Sequence, residues 1–90
     1  MYLHLGQDTV IKMDEIIGIF DLETSTISKI SRAYLAQAEK QGRTVNVSLE
    51  LPKSFVVCQK ETGEVTVYIS QISTNTLRKR TGFVEGLSNL

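Results

Sequence analysis

Three consecutive cations, Arg78-Lys79-Arg80, follow four hydroxyl or amide side chains, Ser73, Thr74, Asn75 and Thr76, toward the carboxyl end of the chain. Such groups are the usual partners of backbone phosphate oxygens, and free amides at a helix start bind them too. Lys53, directly after Pro52, is placed in the sequence to join them. The chemistry available is therefore contact with a polyanion. The plainer alternative is that cations in the last turn of a helix complement its dipole and keep the surface soluble.

Bond-making chemistry finds no comparable support. Ten Asp and Glu, one His and one Cys fall in no spacing that organises a reaction. A phosphate-cradling glycine loop, a metal-ligand cluster and a nucleophile elbow are all missing from the sequence. We expect no enzyme, no cofactor, no metal and no small-molecule substrate. Cys58 lies in a strand-like run and reads as a small buried hydrophobe rather than a reactive thiol. A single cysteine cannot form an internal disulfide and fits a reducing compartment. His4, the sole histidine, reads as a strand residue.

Charge limits how the cations can act. Ten Lys and Arg balance ten Asp and Glu, so the net charge is zero and no whole-molecule field draws the chain to nucleic acid. Each phosphate contact adds about 0.9 to the slope of log K against log salt, and three or four such contacts are weak at physiological salt. Joining several copies on one duplex raises avidity by roughly two to four orders of magnitude. DNA binding by this chain presupposes assembly.

The elements that must position these residues follow from local pattern. Residues 1–12 alternate strand-like runs around Gly6-Gln7-Asp8 and predict a hairpin. A third strand is expected over 15–21, where Ile16, Ile17, Ile19 and Phe20 make both faces apolar; Gly18 is expected to admit a close approach to the backbone. Thr24-Ser25-Thr26 offers N-caps, and Ile27, Ile30, Tyr34, Leu35 and Ala38 keep helical spacing, which predicts a four-turn helix over about 26–41 ended by Gly42. Its other face, with Lys29, Arg32, Gln37 and Glu39, reads as solvated.

Val45, Val47, Leu49 and Leu51 alternate with polar residues and predict a half-buried strand that Pro52 stops. Ser54–Gln59 and Val65–Ser70 predict two more strands around the turn Glu61-Thr62-Gly63-Glu64, so that 45–70 reads as a meander. A short helix should start at Ser73 or Thr74 and end at Gly82, with Phe83 folding back on Leu77. The expectation is an α+β fold: a small, mostly antiparallel sheet of about six short strands, one four-turn helix and a short C-terminal helix. A chain of 90 residues builds one core, here a single domain over 1–83 with a flexible tail over 84–90. Its apolar runs are too short to span a membrane and no leader pattern opens it, which points to the cytoplasm.

The strand faces 16–20, 55–58 and 45–51 carry more apolar surface than two helices easily cover. The surplus is expected to be buried against further copies of the chain, with Ile17, Ile19, Phe20, Phe55 and Val57 at the contact. A monomer whose sheet is covered on both sides is the alternative.

Four segments in register, Met1-Tyr2-Leu3-His4-Leu5-Gly6, Ile17-Gly18-Ile19-Phe20-Asp21, Pro52-Lys53-Ser54-Phe55-Val56-Val57 and Ser73 to Arg80, span roughly residues 1–83. Together they resemble the RemB branch of the RemA/RemB family of bacterial extracellular matrix (biofilm) regulators. The resemblance implies control of matrix genes in Gram-positive bacteria and their relatives, without catalysis. For the RemA branch it further implies a LytTR-like fold, ring-like homo-oligomers and double-stranded DNA bound around the ring. The RemA-type arginines before the fifth strand and at the start of the third are replaced here by Glu50, Leu51 and Glu15. DNA contact is left to Lys53, Arg78, Lys79 and Arg80. Were Glu15 and Glu50 to share one surface they would repel DNA, which favours an oligomeric protein-interaction module as the second hypothesis.

Overall fold

The computed structural model describes residues 1–23 and 25–81. The N-cap candidate Thr24, the contact expected between Phe83 and Leu77, and the tail expected over 84–90 lie outside them. β1 (Tyr2–Gly6) and β2 (Thr9–Lys12) form an antiparallel hairpin, and a 3-10 turn over Met13–Glu15 leads into β3 (Ile16–Asp21). α1 (Ser25–Lys40), β4 (Thr44–Asn46), β5 (Ser54–Gln59), β6 (Val65–Ser70) and α2 (Thr74–Thr81) follow. The main sheet has the order β3-β5-β6-β4; β5 is antiparallel to both neighbours and β4 is parallel to β6.

β5 is the centre of the molecule. Its side chains alternate by the period of a strand, and all of Ser54, Phe55, Val56, Val57 and Cys58 are buried. Phe55 and Val57 pack with Leu22, Ala38, Val67 and Ile69 beneath α1. Val56 and Cys58 face the other way and pack with Leu3, Leu5 and Ile11 of the hairpin and Leu77 of α2. The sheet is therefore covered on both faces, by a helix on one side and by hairpin plus helix on the other. Burying one such side chain stabilises by about 1.5–3 kcal/mol.

Turn chemistry sets the boundaries. Gly6 adopts φ +121°, and a Cβ there would stand 2.9 Å from the Gln71 side chain, so only glycine suits the hairpin bend. α1 ends as expected at Gly42, in the left-handed region: the Arg43 N–H donates to the Ala38 carbonyl and the Gly42 N–H to that of Glu39, both at 3.0 Å. At Gly18 the approaching group is the ring of Phe20 from the same strand, 2.7 Å from where a Cβ would be.

Two expectations are corrected. The strand over 45–51 shrinks to Thr44–Asn46 and pairs in parallel, so 45–70 is not a meander. The reason is topological: β4 is on the far side of β6 from β5, so residues 47–53 must cross the end of β6 to begin β5. Pairing reaches Val47, whose N–H donates to the Ile69 carbonyl at 2.9 Å, and resumes at Lys53, whose N–H donates to Ser70 at 2.9 Å. Between them Leu49 and Leu51 are exposed, 102% and 82%. The apolar surplus is also smaller than expected, because the hairpin covers Val56 and Cys58.

Candidate functional site

Two surfaces offer themselves. The first is the outer side of α2. Ser73 caps this helix, its Oγ accepting from the Thr76 N–H at 3.3 Å and donating to Thr76 Oγ1 at 3.1 Å. Thr74 is buried. With the Ser73 and Thr76 hydroxyls engaged with each other and Thr74 buried, Asn75 is the side chain of this group that stays exposed without such a contact, beside the cations. Leu77 anchors the helix in the core, fully buried, and turns Arg78, Lys79 and Arg80 outward to solvent. One Arg80 Nη1–H donates to the His4 carbonyl at 3.0 Å, fastening the last turn to β1. His4 itself is exposed, its Nε2 2.7 Å from the Gln7 carbonyl.

Lys53 is exposed where β5 begins, its backbone held by Ser70 and by Leu22. Among the described residues the ion pair is Lys60 with Glu64, at 3.6 Å. Among the described residues, Lys53 and the α2 cations make no ion pair with a carboxylate. Glu50 belongs to the loop before Lys53. Glu15 stands at the opposite end of the sheet, next to Ile16, which pairs with Cys58. The two acids thus lie toward opposite ends of β5, a six-residue strand of roughly 17–20 Å.

The second surface is an apolar groove of about 410 Å³ between α1 and β3, lined by Ile17, Phe20, Ile30, Ser31, Tyr34, Phe55, Val57 and Val65. Three aromatic rings line up in it: Phe55 stacks on Phe20 with centroids 5.2 Å apart and on Tyr34 at 6.0 Å. Of the residues expected at a subunit contact, Ile17 and Phe20 are exposed on its rim, while Phe55 and Val57 are buried as its floor. Ile19 is half-buried on the other face of the sheet, against the hairpin core. The structure thus brings four of the five together and separates the fifth. Sequence reading did not single out Ile30 and Tyr34 as groove residues: helical spacing put them on the apolar stripe of α1, where they are 74% and 40% exposed.

Cys58 is buried, and that burial, helped by the nearby Glu15 carboxylate, pushes its thiol up to about 11. A thiol so held is protonated at neutral pH and is no nucleophile. Among the described residues, no group of three or more His, Cys, Asp or Glu side chains is disposed to hold a metal ion. No helix among them is long and apolar enough to cross a membrane.

The described residues form a small α+β fold with an exposed cationic helix face and an open apolar groove. The chain belongs to the RemA-like family, described as extracellular matrix regulatory protein A-like, whose model matches residues 2–81. It is also 34% identical over 84 residues to extracellular matrix regulatory protein B of Bacillus subtilis (strain 168), a match that covers 93% of this chain and 94% of that relative. The four segments that carried the resemblance lie within the matched stretch apart from Met1.

Proposed function

We propose that this chain is a non-enzymatic regulator of extracellular matrix genes that assembles from several copies and touches the DNA backbone through Arg78, Lys79, Arg80 and Lys53. The regulatory role rests on family membership and on the similarity to extracellular matrix regulatory protein B. The observation that supports DNA contact is the run of exposed cations on α2, which makes no ion pair among the described residues. Counterion release makes such a run useful only when several copies present it to one duplex.

Sedimentation of the protein with a long duplex at low and at moderate salt tests this reading. The complex should weaken steeply with salt, and Arg78→Ala/Lys79→Ala/Arg80→Ala should lose most of the affinity while remaining folded. A protein that sediments as a large species yet shifts no duplex at any salt would reverse the assignment. The reading would then be a protein-interaction module, which the exposed Leu49, Leu51 and open groove favour.

A further inference from the structure

We propose that the outer face of the β1–β2 hairpin, formed by Tyr2, His4, Val10 and Lys12, lies in the major groove of the duplex whose backbone the α2 cations hold. This rests on the DNA contact proposed above and adds the element that meets the bases, which phosphate contacts cannot read.

The hairpin has two unlike faces. Leu3, Leu5 and Ile11 turn inward and are buried in the core. By strand alternation the four side chains between them turn outward, and all are exposed. The register sets Tyr2 opposite Lys12 and His4 opposite Val10. Tyr2 is 64% and Val10 53% exposed, so packing within the chain accounts for neither. Singly, such residues are ordinary on a surface; here they share a bare two-stranded ribbon with an imidazole and an ammonium group.

Size, charge and chemistry of that ribbon fit a duplex. Two strands about 4.8 Å apart make a ribbon that a major groove about 12 Å wide admits. The face carries Lys12 and no carboxylate; Asp8 and Asp14 fall beyond its two ends, in the turn and after β2. Arg80 Nη1–H donates to the His4 carbonyl at 3.0 Å, so the last turn of α2 abuts the ribbon and its cations continue the same surface. Base edges offer a partner for each side-chain type. His4 Nε2–H donates to the Gln7 carbonyl at 2.7 Å, which leaves Nδ1 of an uncharged ring as an acceptor for the exocyclic amino group of adenine or cytosine. Val10 suits the thymine methyl and Lys12 the O6 and N7 of guanine.

Titration of a long duplex with the full chain at several salt concentrations tests this, with Tyr2→Ser/Val10→Ser set against Arg78→Ala/Lys79→Ala. All four positions are exposed, so both variants should keep the wild-type circular dichroism. The hairpin variant should lose affinity roughly tenfold or more at an unchanged slope of log K against log salt, because base contacts release no counterions. The α2 variant should lose affinity with a slope smaller by about 0.9 for each phosphate contact removed. Methyl green, which occupies the major groove, should displace the wild-type protein, and the minor-groove ligand netropsin should not. A hairpin variant that binds at wild-type strength or with a smaller slope, or a wild type displaced by netropsin alone, would overturn the proposal and leave the α2 contact standing. Binding to phosphatidylglycerol vesicles that the hairpin variant loses while its duplex affinity is unchanged would reassign the face to a membrane. A wild type that binds no duplex at any salt would remove the DNA reading itself.

Discussion

Ser70 and Cys58 show how residues on adjacent strands acquire roles their types do not announce. Ser70 ends β6 where strand alternation makes it outward and polar, yet it is fully buried. Its Oγ donates to the Leu5 carbonyl at 2.8 Å and accepts from the Ile72 N–H at 3.0 Å, tying the hairpin to the sheet. Ser54 Oγ does similar work, donating to the Ile72 carbonyl at 2.7 Å. Nothing local in the sequence marks these serines, because the hairpin that buries them is more than forty residues away in the chain. Cys58 permits a test of the same enclosure. Its folded pKa of about 11 exceeds the ordinary 9.0, so between these values the unfolded chain has lost a proton that the folded chain retains. Stability must therefore fall as pH rises through this window, by on the order of 2–3 kcal/mol in all, and is unaffected by this thiol below it. Denaturant unfolding of wild type and Cys58→Ala at pH 8 to 11 checks this. The variant should be less stable at pH 8, where it leaves a small cavity, and the gap should narrow toward pH 11. A constant gap would mean that the thiol is not held as the structure places it.

Elements were more legible than their pairing. The hairpin, β3, α1, β5, β6 and α2 all stand close to their expected residues, because period, caps and glycines act within a few positions of one another. The strand over 45–51 was misjudged although its alternation is clean: the pattern reports which side chains are apolar, and crossing the end of β6 is a long-range demand that no local spacing encodes. What α1 covers was not legible either. Its stripe has the helical period, but the helix reaches both edge strands, β3 and β4, and along it Ala38 is buried while Ile30 and Tyr34 border the open groove. α2 is the element on which the candidate site depends, and at eight residues it is too short to persist without its cap and core anchor. Ser73→Ala should cost about 1 kcal/mol, read as a lower denaturant midpoint at unchanged slope. Ser73→Asp, which can cap in the same geometry, should restore most of it. A Ser73→Ala protein with the wild-type midpoint would show that α2 is held by Leu77 and the Arg80 tie alone.

At the scale of the whole molecule, neutrality and assembly constrain each other. Net charge is zero, so one copy has only its local cations with which to hold a duplex, while the same neutrality removes the long-range repulsion that would keep copies apart. The proposed function therefore links two equilibria through one protein concentration. A substitution on the rim of the apolar groove, which removes no cation, should weaken DNA binding by the avidity it removes, roughly two to four orders of magnitude. It should do so without changing the phosphate contacts each copy makes. Ile17→Ser, at an exposed residue of the expected subunit contact, separates these effects in a titration of a long duplex at several salt concentrations. Its affinity should drop, and its slope of log K against log salt should shrink to that of a single copy, about 0.9 for each phosphate touched. Fusing two copies of that variant through a flexible linker should recover part of the lost affinity, since effective concentration replaces the missing contact. Undiminished affinity in the unlinked variant would mean that one copy suffices to hold DNA, and the charge argument on which assembly-dependent binding rests would fail.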